Sequence, residues 1–302
     1  MMSSMSSMSS MRSTLKIFLF LISIGSFAGS QAKAQVKTQV VFGQDDRKDL
    51  YQVQRPEIWS VADSTVAFIS ADQLRKSKSG NYEIKAPLLG RAFHLCPGEA
   101  FWRQPSVASC SGFLVAPDII ATAGHCVPER CDDKVKIVFN FSLKNANQDV
   151  PRVSTHQVYQ CRKVIARKNT STEDFALIQL DRLVLDHQPL KLSTRTAQEV
   201  DELIVFGHPL GLPLKVVDNA QVQKVYESFF MADTDTFDGN SGSAVMNAQS
   251  LEVVGVLVRG DPDFIQDEKL HCQRIRKCQT GLCQFDEATK ISFITQALKA
   301  YQ

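Results

Sequence analysis

The chain has 302 residues, 34 Lys+Arg against 32 Asp+Glu, a formal net charge of +2 and 44% hydrophobic residues. Those proportions belong to a folded chain long enough for one large core or two small ones, not to a disordered one. The near balance of charge leaves no basic excess for a polyphosphate, so nucleic acid is not an expected partner.

Residues 1–34 read as a secretory signal peptide. Arg12 and Lys16 give a positive start, and Ile17–Phe27 is an apolar run too short to span a bilayer comfortably. Ala32-Lys33-Ala34 then offers a small-x-small cleavage site before Gln35. Removing this segment takes out Arg12, Lys16 and Lys33 and no acid, so the 34 basic residues fall to 31 against 32 acidic ones. No other stretch is long and apolar enough to cross a bilayer. The expectation is an exported chain, periplasmic or extracellular, monomeric, with no membrane insertion after cleavage. Residues 35–60 are weakly patterned. Their mixed-charge run Gln44–Asp49 reads as a solvated loop in an N-terminal extension or a propeptide.

Short strands separated by turn signals follow. Ser64–Ser70 alternates and is β-branched, Ser109–Ala116 and Ile119–Ala123 flank Pro117-Asp118, and Lys134–Phe141 alternates cleanly. Phe175–Leu180, Leu203–Phe206 and Val253–Val258 continue the pattern. Only Ser292–Tyr301 reads as a helix, with Ile294, Leu298 and Tyr301 at helical spacing, docked on the core. Strands this dense, with no long helices between them, predict an all-β barrel or sandwich.

All eight cysteines lie beyond residue 34: Cys96, Cys110, Cys126, Cys131, Cys161, Cys272, Cys278 and Cys283. An even count in an exported chain favours disulfides over metal. The closest clusters, Cys126-x4-Cys131 and Cys272-x5-Cys278-x4-Cys283, lack the C-x2-C spacing of a structural zinc site. Asp261, Asp263, Asp267 and Glu268 lack the pattern of a calcium loop and read as a solvated acidic loop. No metal or cofactor is expected.

The informative histidine is His125, in Thr122-Ala123-Gly124-His125-Cys126. Asp174 opens Asp174-Phe175-Ala176-Leu177, and Ser241 sits in Gly239-Asn240-Ser241-Gly242-Ser243. A serine hydroxyl is a weak nucleophile. It needs an imidazole to take its proton, a carboxylate to hold that imidazole in one tautomer, and backbone N–H groups aimed at the developing oxyanion. Gly239 and Gly242 let the chain turn tightly around Ser241. His208, in Gly207-His208-Pro209, reads as structural.

These segments, with Cys110-Ser111-Gly112-Phe113-Leu114-Val115, resemble the trypsin/chymotrypsin-like serine endopeptidases, and among them the bacterial branch that includes glutamyl endopeptidases. The resemblance spans residues 110–260. It implies two six-stranded antiparallel β-barrels and a C-terminal helix, a first barrel over 61–192, a second over 193–302, and protein or peptide substrates. It further implies His125 as general base, Asp174 as its orienting partner, Ser241 as nucleophile, the N–H groups of Gly239 and Ser241 as oxyanion hole, and a Cys110–Cys126 bridge. Asn240 stands where the trypsins carry an Asp that pairs with a newly freed amino terminus, so that activation switch is not expected. Asp235 lies six residues before Ser241, the family's place for an acid that binds Lys or Arg. With Thr236 and Arg259 it is the candidate substrate pocket, and the balance leans weakly to a basic P1 side chain over an acidic or other one. A catalytically silent homologue acting as a binding module is the rival, and the retention of all three candidate side chains speaks against it.

Overall fold

The second half of the chain closes on itself. In the computed structural model, which describes residues 41–78, 80–148, 151–260, 262–278 and 284–301, the strands Glu202–Gly207, Ala244–Asn247, Val253–Arg259, Asp286–Lys290, Phe229–Ala232 and Lys215–Val225 follow one another in a sheet. Pairing of Glu202–Gly207 with Lys215–Val225 completes a ring of six antiparallel strands. The first half forms a seven-stranded sheet in the order Val158–Tyr159, Val135–Phe139, Thr65–Ser70, Ala108–Ala116, Ile119–Thr122, Asp174–Leu180 and Cys161–Asn169. No pairing joins its two end strands among the described residues, so this half is a half-barrel beside the closed one. The signal-peptide segment, Asp261 and Cys283 lie outside the described residues.

One apolar core spans both halves. Phe113 and Leu177 of the half-barrel, Phe206, Met246 and Val256 of the barrel, and Ile291 and Ile294 of the final helix share a single buried cluster. The helix Ile291–Tyr301 buries its Ile291 and Ile294 edge there, and Phe293 stacks on Phe175 at 6.0 Å between ring centroids. Each such fully buried aliphatic or aromatic side chain contributes about 1.5–3 kcal/mol relative to exposure. The sheets are therefore clamped together where their edges carry the site residues.

The N-terminal segment departs from expectation. Gln44–Asp49 is not a solvated loop: Arg47–Asp49 pairs antiparallel with Lys215–Val217 and widens the barrel sheet, with Arg47 4% and Asp49 2% exposed. The charges of Asp45, Arg47, Lys48 and Asp49 are paired. Arg47 meets Asp45 at 2.6 Å, and Asp49 meets the buried Lys215 at 2.7 Å. Charges enter an interior only with such partners. A short helix, Pro56–Ala62, follows. Pro56 occupies its first turn, where no backbone donor is needed, and Ile58 and Ala62 face the core. Among the described residues, no helix is long and apolar enough to cross a membrane.

Candidate active site

His125 sits in a tight turn, Gly124–Cys126, at the end of the strand Ile119–Thr122. Gly124 is required there, because a Cβ would lie 1.7 Å from the carbonyl oxygen of Lys168. Asp174 opens its strand in the buried layer, 2% exposed. Its Oδ1 accepts the backbone N–H groups of Gly124 (2.7 Å) and His125 (3.1 Å), and its Oδ2 lies 2.8 Å from His125 Nδ1. Burial alone would push the Asp174 carboxyl up. The His125 side-chain hydrogen bond, the attraction of His125 and the two backbone donors outweigh it, and the net shift is downward. An ionised carboxylate only accepts hydrogen bonds, so Nδ1 is the donor of the pair.

Ser241 is carried by a turn pressed against the same half-barrel. Its carbonyl accepts the Ser111 N–H at 2.8 Å and lies 3.5 Å from the Sγ of Cys126, the residue next to His125. Gly239 and Gly242 both have φ of +91°, and a Cβ at Gly242 would come within 2.1 Å of Ser111 O. The turn is locked from inside by Asn240 N–H on Phe237 O (2.9 Å) and Ser243 Oγ on Asn240 Oδ1 (3.2 Å). The N–H of Gly239 donates to Asp238 Oδ1 at 3.1 Å.

A depression of about 450 Å³ opens beside Ser241, between Thr236, Leu257, Arg259, Gly260 and Asp263. Arg259 does not reach towards Asp235. Its guanidinium donates to the carbonyls of Thr170 and Ser171, pairs with Glu287 at 2.9 Å, and lies 3.6 Å from Asp174 Oδ2. Nor does Asp235 line the depression. Its carboxylate accepts the N–H groups of Phe42 (2.9 Å) and Asp46 (2.7 Å), and burial pushes it up to about 7. Asp238 and Asp263 are the acids of the lining itself, and a third, Asp286, lies behind the wall, unmarked by anything local in Gln284-Phe285-Asp286-Glu287. Asp286 Oδ2 accepts the hydroxyls of Thr234 (2.6 Å) and Thr236 (2.7 Å), and a Cβ on Gly260 would come within 2.5 Å of its Oδ1.

Cys110 and Cys126 are joined by a disulfide, as are Cys96 with Cys272 and Cys131 with Cys161; Cys278 is disulfide-bonded too. The sulfurs of Cys110 and Cys126 lie near the His125 ring, but sulfurs bonded to each other offer no thiolate for a metal. Asp267 of the acidic loop caps its own turn, accepting the N–H groups of Lys269 and Leu270 and the Arg274 side chain. His208 is fully buried, stacked near Phe141 and bonded to Leu212 O; burial takes it down to about 3, so it stays neutral.

Residues 110–256 match the family model described as a trypsin-like peptidase domain. That segment, just under half of the chain, is similar to the trypsin-like peptidases. Two solved peptidases share the chymotrypsin-like fold with this one. The active form of the Rv3671c protease from M. tuberculosis has 15% identity, a TM-score of 0.50, and coverage of 87% of this chain and 91% of that one. The Vibrio cholerae VesB protease has 15% identity, a TM-score of 0.51, and coverage of 84% and 66%. A Glu endopeptidase solved with MPD is 16% identical, with a TM-score of 0.48 and coverage of 86% and 98%. No curated protein matches the chain in sequence.

Proposed function

We propose that the chain is an exported serine endopeptidase that hydrolyses protein or peptide substrates through an acyl-enzyme, with His125, Asp174 and Ser241 as its catalytic residues. The observation that carries this reading is the Asp174–His125 pair beside the Gly239–Gly242 turn. Ser241 Oγ attacks the scissile carbonyl carbon while its proton passes to His125 Nε2, and the resulting imidazolium is stabilised by Asp174. The oxyanion falls to the N–H groups of Gly239 and Ser241, with the substrate oxygen replacing Asp238 Oδ1 on Gly239. Collapse expels the amine, which takes the proton from His125. Water then repeats the sequence on the ester and restores Ser241. Three described disulfides support export, because such bridges persist in oxidising compartments.

A basic P1 side chain suits the pocket better than an acidic one. The carboxylate of Asp286 backs Thr236 and Gly260, while the cation of Arg259 is already taken up by Glu287, Asp174 and two carbonyls. Asp263 lines the depression and Asp286 stands behind it; we propose Asp286, rather than Asp235, as the acid for Lys or Arg.

A fluorophosphonate probe tests the reading. Wild type should be labelled on Ser241 and the Ser241→Ala protein should not. A folded wild type that resists labelling and cleaves nothing in a peptide library would make the chain a silent homologue.

A further inference from the structure

In the trypsins, the acid before the nucleophile orders the oxyanion loop by pairing with a freed amino terminus, and this chain has Asn240 there. A different brace meets the chain just before this loop. The segment 41–49 lies along the barrel: Val41 N–H donates to Arg276 O at 3.0 Å, and Asp235, six residues before Ser241, accepts from Phe42 and Asp46. Arg47, whose side chain is wholly buried, then lays its guanidinium over the ring of Phe237, 3.9 Å from the centroid. Phe101 covers it at 5.1 Å, and Asp45 holds Nε and Nη2 at 2.8 and 2.6 Å. Its Nη1 has no hydrogen-bond partner, so that edge of the fork is committed to aromatic surface. Phe237 is the first residue of the catalytic turn, the acceptor for Asn240 N–H, and part of the pocket wall beside Ser241.

We infer that the docked segment 41–49 takes the place of the freed amino terminus, and that Arg47 is the positioning residue, holding Phe237 and through it the N–H groups of Gly239 and Ser241. The loop is then in its working shape whatever precedes the segment. This inference rests on Ser241 being the nucleophile. Its own content is that an internal side chain, not a terminal ammonium, sets the oxyanion hole.

The test uses full-length processed protein and three readouts: the rate of fluorophosphonate labelling, kcat and KM separately, and thermal unfolding. Arg47→Met should unfold cooperatively and bind substrate with KM within about threefold of wild type, yet lose roughly 10- to 100-fold in kcat and in labelling rate. Arg47→Lys keeps the charge without the planar fork and should recover part of that loss. If Arg47→Met does not fold, Asp45→Asn decides: Asp45 is partly exposed, and loosening its hold on Arg47 should lower kcat several-fold at unchanged KM. A short Gly/Ser extension ahead of Gln35 should leave kcat/KM unchanged. Folded Arg47 or Asp45 variants with wild-type kcat, or an extended chain that is inactive until trimmed, would overturn the inference. An unlabelled wild type would instead overturn the assignment of Ser241, so the two failures are distinguishable.

Discussion

Asp174 grips residue 125 twice, by Oδ2 to the ring Nδ1 at 2.8 Å and by Oδ1 to the backbone N–H at 3.1 Å. Ring and main chain are thus fixed by one carboxylate, so tautomer and orientation depend on the same group. Asp174→Asn would present an amide N–H to Nδ1 and favour the wrong tautomer. We expect kcat to fall by a factor on the order of 10³–10⁴ with the fold intact, measured on a peptide substrate at neutral pH. Wild-type turnover in that variant would remove Asp174 from the mechanism.

Gly242 lies where the turn meets the half-barrel, with φ of +91° and Ser111 O 2.1 Å from any added Cβ. Gly242→Ala forces either the strand Ala108–Ala116 or the Ser241 turn to shift. The expected result is a loss of at least about 2 kcal/mol of stability in urea unfolding and a drop in Ser241 labelling. An alanine variant with unchanged midpoint and labelling would show that the turn is looser than its contacts imply.

Asp286 stands behind Thr236 and Gly260, two residues of the pocket lining, and is proposed above as the acid for a basic P1 side chain. Asp286→Asn keeps the shape and an acceptor for the two threonine hydroxyls, and removes the charge. kcat/KM for Lys or Arg at P1 should drop about 10²-fold or more, while small neutral P1 residues change little. Asp235→Asn, by contrast, should leave the P1 ranking as it is. A reversal of those two outcomes would return the specificity role to Asp235.

Local patterns were enough for the strands around His125, Asp174 and Ser241, because each alternates or runs apolar between turn residues and packs as the period dictates. They were enough too for the C-terminal helix, whose Ile294 is fully buried. They misled at Gln44–Asp49, because local reading prices a charge run for water and cannot see Lys215, more than 160 residues away, waiting for Asp49. The proposed exchange of Asp235 for Asp286 has the same root. Which of two acids backs a pocket is decided by which strand passes behind Thr236, and that is set by barrel closure rather than by distance along the chain from Ser241.

Burial of Asp235 also gives stability a pH dependence. The folded chain holds this carboxyl at about 7, whereas an unfolded Asp titrates near 3.9. Between about pH 4 and 7 the folded state therefore binds more protons than the unfolded state, and stability must fall as pH rises through that window. Asp263, also pushed up to about 7 by burial, adds to the fall. Asp174, shifted down, acts oppositely and only at lower pH, where its protonation costs the His125 contact. In Asp235→Asn the share of Asp235 disappears, so the urea midpoint should decline less steeply from pH 4 to 7. The difference in slope should be worth up to about 3 kcal/mol over the window. The variant keeps an acceptor for one of the two N–H groups of Phe42 and Asp46, so it should be weaker than wild type near pH 4 and close the gap as pH rises. Parallel midpoint curves for the two proteins would mean that Asp235 is already ionised where the fold buries it, and that its two backbone donors outweigh desolvation.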